Sequence, residues 1–375
     1  MLRAIVTAAD MAVPVANPET LAELELVSTK VLNELRSSPV LGKMWAPQAS
    51  FRNEAAGTLN LDFNFHPLEE VVHGGEGERK FAQSLIENEA NLQLVGKMKR
   101  GTHGAWLTRT EEGENRIFKF VSSDDVRPQL QLSADSSRAV NSTIARTPQY
   151  RQIGFTPGKG SWYTQEFLPG QPAPAPTESL ISRMMVLNEM AAGKALAGGK
   201  NWSEEVMNAL YKDSKGWQKS IAASGPEGKT FVADVQSMIH RNRLLSPQAG
   251  DIVHGDFQHY NALVDRNGKL SGYIDWEGAG RGDRGIDLSR LLYDAYVSEA
   301  EIGFKTRPDT LQMMSDRLAA MSGTAHRDNY MNYWALQVAD FGLKRSPKDG
   351  SMFMGVGRRI LDDLKASQKS TSLAA

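Results

Sequence analysis

The sequence predicts an α+β fold of two lobes, a small one built on an antiparallel sheet and a large, mostly helical one, behind an N-terminal extension. Three observations predict it. Short apolar runs separated by Gly- and Asn-containing turns fill residues 92–167. From Thr177 onward, apolar residues recur at helical spacing. Within that helical half lies one hairpin, Ala262–Val264 with 270–274, whose polar neighbours crowd one end.

The expected boundaries are 1–74 for the extension, 75–168 for the small lobe and 169–375 for the large lobe. In the extension, Leu21, Leu24, Val27, Val31, Leu32 and Leu35 mark a helix over 18–35, with Asn17 as a candidate N-cap. Leu59, Leu61, Phe63 and Phe65 alternate with polar residues, the mark of a half-buried strand.

In the small lobe, Gly74, Gly75 and Gly77 form a joint, followed by a helix over 79–89 and a strand over 92–98. A Gly-containing loop, Lys99-Arg100-Gly101-Thr102-His103-Gly104, leads into the strand Ala105–Arg109. A solvated turn at 111–115 precedes a strand over 116–121, where Lys119 sits between Phe118 and Phe120. A helix over 129–146 and strands over 150–155 and 162–167 complete a five-stranded sheet. Pro169-Gly170 stops it, and a Pro-rich linker over 171–176 follows.

In the large lobe, Leu180, Ile181, Met184, Met185, Leu187 and Ala191 form an apolar stripe that ends at Gly198-Gly199. A helix from Ser203 to about Ala223 and another through Phe231, Val235 and Ile239 lead to the hairpin. Four helices are expected after Asp287, over 288–297, 310–321, 328–341 and 354–364, and a polar, disordered tail from Ala366.

The hairpin carries the chemistry. Asp265-Arg266-Asn267-Gly268 punctuates it, because Asn-Gly supplies the positive φ angles of a tight turn. His254, Asp256 and Asn261 precede its first strand, and Asp275 and Glu277 follow its second. Phosphoryl transfer from a metal-bound nucleotide needs this set. Mg2+ takes hard carboxylate and amide oxygens, and an acceptor hydroxyl needs a carboxylate to orient it and receive its proton. His254-Gly255-Asp256, four residues, Asn261, and then a separate Asp275 reproduce the spacing of a kinase catalytic loop and its metal-binding Asp.

The run through Ile274-Asp275-Trp276-Glu277 and Gly282-Asp283 to Asp287-Leu288 resembles the aminoglycoside phosphotransferase and choline kinase-like family. That resemblance implies a protein kinase-like fold, ATP (or GTP) and Mg2+ as cofactors, and a small-molecule hydroxyl as acceptor. It makes Asp256 the base and Asn261 and Asp275 the metal ligands. It further implies that Lys119 pairs with the nucleotide phosphates and that Gly101, Thr102 and Gly104 belong to a phosphate lid. Asp135, the one carboxylate inside the following helix, is the candidate partner of Lys119, and Glu166 and Leu168 fall at the adenine hinge. One departure is His259-Tyr260 where the family has small residues, and His259 is expected at the surface. For a cationic acceptor, Asp294, Glu299 and Glu301 are candidates by position.

Bulk properties narrow the classes. With 43 Lys and Arg against 44 Asp and Glu, the chain has no basic footprint for nucleic acid, and no run is apolar enough to span a bilayer. Asp10 and Pro14 interrupt the mildly apolar start, so a cytoplasmic enzyme is expected. The absence of cysteine removes thiolate catalysis and Cys-ligated zinc. Gly280-Arg281-Gly282-Asp283-Arg284-Gly285 fits a dinucleotide fingerprint, but follows an antiparallel hairpin, not a parallel strand. Gly225–Thr230 mimics a phosphate loop with too few spacers. Two rival readings remain: a metal-dependent hydrolase using His254, Asp256, His259 and Asp275, and a pseudokinase that binds nucleotide without transfer.

Overall fold

In the computed structural model the described residues are 71–72, 76–98, 104–242, 250–345 and 347–374, all within the unit Phe63–Ala375. The helix expected over 18–35, the strand at 59–65 and the loop residues Gly101 and Thr102 lie outside them.

The small lobe is an antiparallel sheet of β1 (Val71–Val72), β2 (Gln93–Met98), β3 (Ala105–Arg109), β4 (Asn115–Ser122), β5 (Tyr150–Thr156) and β6 (Gly160–Glu166). Their order is β1-β2-β3-β4-β6-β5, one strand more than expected. The extra strand, with Val71 opposite Met98, is too short to carry a readable period. Alternation along β4 divides its side chains between two faces. Phe118 points to α1 (Glu76–Asn88) and packs with Trp106, Trp162, Leu85 and Ile86. Gly154 makes room there, since a Cβ would lie 2.2 Å from the Trp162 ring. Lys119 and its cross-strand partner Tyr163 point to the opposite face, toward the large lobe.

On that face lies α2 (Arg127–Val140). It starts two residues earlier than expected, with Pro128 in its first turn, and stops at Val140 rather than Arg146. Asn141 turns extended there, and its side-chain oxygen accepts the Thr147 N–H at 3.0 Å.

The large lobe opens with β7 (Gln171–Pro172) and α3 (Glu178–Glu189). The Pro-rich segment is therefore more than a linker, since β7 adds a third strand to the hairpin. The helix expected over 203–223 is two, α4 (Trp202–Lys212) and α5 (Trp217–Ala223). Asp213 takes a left-handed φ of 48° between them, and its carboxylate caps α5 by accepting the N–H groups of Gln218 and Lys219. α6 (Pro226–Arg241), β8 (Asp251–Val253), the hairpin strands β9 (Ala262–Val264) and β10 (Leu270–Tyr273), and β11 (Gly280–Gly282) follow. The lobe closes with α7 (Gly285–Ile302), α8 (Pro308–Ser322), α9 (Thr324–Leu343) and α10 (Pro347–Ala374). α10 runs through the segment expected to be a disordered tail.

The hairpin turn departs from the expected pair of positive φ angles: Gly268 has φ 70° and Asn267 does not. Asp265 accepts the Gly268 N–H on its carbonyl and those of Asn267 and Lys269 on its carboxylate, a type I turn closed by one left-handed glycine. Among the described residues, no helix is long and apolar enough to cross a membrane.

Candidate active site

The loop 254–261 leaves β8 and is held from beneath by α7. The Asp287 carboxylate accepts the backbone N–H groups of His254 (2.7 Å) and Gly255 (2.9 Å). Burial pushes this carboxyl up to about 7, against those two donors, which favour the anion. Gly255 has φ +84° and lies against Trp202, whose ring a Cβ would approach to 2.1 Å. The His254 ring is buried inside the loop. Its Nδ1 accepts the Asp256 N–H at 3.2 Å, so Nε2 carries the proton given to Ile274 O at 3.0 Å. Burial lowers its pKa, which keeps the ring neutral and structural.

At the mouth of the loop, Asp256 Oδ2 accepts from Gln258 Nε2 (2.8 Å) and Asn261 Nδ2 (3.0 Å). Oδ1 accepts from Arg290 Nε (3.3 Å) and Nη2 (3.1 Å). Asn261 ends a short turn, His259–Asn261, and Ile274 donates its N–H to Asn261 O at 2.9 Å. That bond ties Asn261 to the residue before Asp275. The Asn261 amide nitrogen is spent on Asp256, which leaves its oxygen as a donor for a cation. Amide and carboxylate oxygens are the hard ligands Mg2+ takes, so Asn261 and Asp275 fit such an ion chemically.

Asp275, two residues past β10, is in a left-handed conformation, φ 73° and ψ 45°. Its carboxylate meets Lys119 from the small lobe, and Lys119 Nζ also donates to Glu277 Oε2 at 2.9 Å. Burial works to lower Lys119, but Glu277 and Asp275 outweigh it and hold the ammonium above its ordinary value. Burial likewise works to raise Asp275, and Lys119 overcomes it, so the carboxyl sits below its usual range. The Tyr163 hydroxyl donates to Glu277 Oε2 at 2.6 Å, and Tyr150 stacks on Tyr163 at 4.7 Å.

Asp135 does not join this network. It faces outward from α2, bonded to Arg138 (2.8 Å) and Gln131 (3.2 Å). The helix instead presents small polar residues to the hairpin end: Ser133 Oγ donates to Glu277 O, and Gln129 Nε2 to Ala279 O at 2.9 Å. The acid that pairs with Lys119 therefore comes from the large lobe. Glu166 pairs with Arg146 and donates its N–H to Gln149 O, while Leu168 is buried against Gly272. Gly104 has φ 59° beside Glu78. His259, expected at the surface, is fully buried, with Nδ1 2.7 Å from Asp294 Oδ2; Tyr260 is the exposed neighbour.

Sequence reasoning gathered Glu277 into the set but gave it no role, and it missed Arg290 altogether. Glu277 had a signal, its place at the polar end of the hairpin; Arg290 had none beyond lying one turn after Asp287. The dinucleotide-like glycines are packing positions. β11 pairs antiparallel with β8, and a Cβ would lie 2.4 Å from Lys200 O at Gly280 and 2.1 Å from Ser322 Oγ at Gly285. The hydrolase reading finds no such support, since both His254 nitrogens are used within the loop and His259 is turned to Asp294. Among the described residues, no three His, Asp or Glu side chains are grouped to hold a metal.

A sheet lobe whose lysine meets acids at the end of a hairpin in a helical lobe defines a two-lobed, kinase-like protein. The comparisons agree. A thermostable mutant of aminoglycoside phosphotransferase APH(4)-Ia, solved with ADP and hygromycin B, matches with a TM-score of 0.55 at 15% identity, over 75% of this chain and 97% of that one. Choline kinase LicA from Streptococcus pneumoniae matches with a TM-score of 0.52 at 14% identity, over 77% of this chain and all of that one. The GDP and kanamycin complex of APH(2")-IIia gives 0.50 at 14%, over 77% and 99%. No curated protein matches the sequence. The profile of the phosphotransferase enzyme family matches residues 99–309, more than half of the chain, and the chain belongs to that family.

Proposed function

We propose that this protein transfers the γ-phosphoryl group of ATP (or GTP) to a hydroxyl of a small molecule. One observation carries the reading: Asp256 and Asn261 share a hydrogen bond in the large lobe, and Lys119 reaches from the small lobe to Asp275 of that same lobe. Mg2+, bound to Asn261 and Asp275, would supply charge neutralisation for the phosphates. Asp256 orients the acceptor hydroxyl and takes its proton as oxygen forms its bond to the γ-phosphorus and the bond to the leaving diphosphate breaks. Lys119, kept protonated, places its ammonium beside Asp275, where it can bind phosphate oxygens. Gly101, Thr102 and Gly104 would cover the phosphates, and Glu166 and Leu168 would line the adenine end.

The test is an ATP-consumption screen over amino alcohols, aminoglycosides, sugars and hydroxy acids, with phosphorus NMR on each hit. Asp256→Asn and Asp256→Ala should lower turnover by at least about 100-fold while sparing nucleotide binding. Unchanged turnover in either variant rules out Asp256 as the base.

A further inference from the structure

Arg290 is a residue of this site that phosphoryl transfer does not itself require. Its guanidinium donates to Asp256 Oδ1 at 3.1 and 3.3 Å and to Gln258 Oε1. Two ring centroids lie close to its guanidinium carbon, 4.7 Å away at Tyr293 and 5.2 Å away at Trp334. Those rings stack on each other at 5.5 Å, and Trp334 Nε1 is anchored on Ser289 Oγ at 2.8 Å.

This arrangement constrains what can reach Asp256. The carboxylate is 41% exposed, yet its oxygens accept four N–H donors, two from Arg290 and one each from Gln258 and Asn261. A carboxylate offers about four acceptor positions, so an incoming hydroxyl must displace a donor. Gln258 and Asn261 are neutral amides on the loop itself. Arg290 is the donor for which a ligand anion offers an equal exchange, a charge-assisted pair for a charge-assisted pair. A cationic acceptor would meet the opposite conditions. The chain's own cation already lies within cation–π range of Tyr293 and Trp334, and its positive charge stands beside the base. Two of the acids that position offered to a cationic acceptor are also occupied, Asp294 by His259 and Glu299 by Arg359.

We infer that Arg290 selects the acceptor, and that the acceptor is a small hydroxy acid whose carboxylate draws the guanidinium off Asp256 as it binds. This rests on the phosphotransfer reading of Asp256. Because Arg290 Nη2 starts 3.1 Å from Asp256 Oδ1 and needs to move only far enough to release it, a short acceptor, a 2- or 3-hydroxy acid, is the class that bridges the two.

The experiment uses the full chain with Mg2+ and ATP, and three acceptors on one carbon skeleton: glycerate, glycerol and 3-amino-1,2-propanediol. Glycerate should exceed the amino diol about 100-fold in kcat/KM, with glycerol between them. Arg290→Gln should collapse that ratio at least about 10-fold, chiefly through the KM for glycerate, and Arg290→Lys should restore part of it. A merely structural role would lower all three acceptors alike and leave the ratio unchanged; that result, or a wild-type preference for the amino diol, overturns the inference. Calorimetry with glycerate and a non-hydrolysable ATP analogue supplies a second reading that does not depend on transfer. Glycerate binding that Arg290→Gln abolishes supports the anion site, and no binding, or equal binding to both proteins, refutes it. A phosphorylated product with none of the acceptors tested in either screen would instead count against the phosphotransfer reading.

Discussion

Lys119 is a cation whose burial is tolerated because Asp275 and Glu277 both face it, and Glu277 also accepts the Tyr163 hydroxyl. Removing the second acid leaves a buried ammonium half-paired and a buried hydroxyl without its acceptor. Glu277→Ala should therefore cost about 2–4 kcal/mol in chemical denaturation and weaken nucleotide binding. Asp135→Ala removes a pair on the exposed side of α2 and should stay within about 0.5 kcal/mol with unchanged turnover. Asp287 adds a pH signature. Its carboxyl is raised by burial to about 7, above the unfolded value, so between pH 4 and 7 the folded chain holds a proton that the unfolded chain has lost. Its contribution is fully present below pH 4 and is lost as pH rises through 7. Asp287→Asn cannot titrate. Its stability relative to wild type should improve by up to about 4 kcal/mol from pH 4 to pH 7, read from denaturation curves at each pH. A constant offset would show that Asp287 is already ionised throughout.

At the scale of elements, the loop 254–261 is shaped by what packs beneath it. Trp202 fills the space a side chain would occupy at Gly255, and its Nε1 donates to Gly278 O at 2.9 Å, so one ring supports the segments that enter and leave the hairpin. Gly255→Ala would meet that ring in a left-handed conformation. It should cost about 2 kcal/mol or more in thermal or chemical unfolding, and should lower turnover by displacing Asp256. The same scale shows what could be read from the chain. Strand alternation sets Lys119 apart from Phe118 and Phe120, because period two needs only neighbours, but which face meets the large lobe is not written in the strand. The break between α4 and α5 was missed because Asp213, a side chain that caps as readily as it faces solvent, looks unremarkable in an apolar stripe. The earlier end of α2 turned on a single Asn141–Thr147 bond with no periodic trace.

For the whole molecule, the motif around Asp256, Asn261 and Asp275 was legible because its spacing lies within one short stretch. The contact that joins the lobes was not. Lys119 and Glu277 are 158 residues apart, and no local pattern says which distant acid a buried lysine will meet. Asp135 was the nearer choice in sequence, and the small polar face of α2 explains why the hairpin acid stands there instead. Joined in this way, a small-lobe cation faces hard oxygen donors of the large lobe, the arrangement proposed to hold a Mg2+-bound nucleotide. The most direct test of that claim is calorimetric titration of ATP with and without Mg2+ into wild type and Asp275→Ala. Wild type should bind ATP more tightly with Mg2+, and Asp275→Ala should lose at least about 10-fold of that Mg2+-dependent gain. Equal Mg2+ dependence in the two proteins, or no ATP binding by wild type, would contradict it.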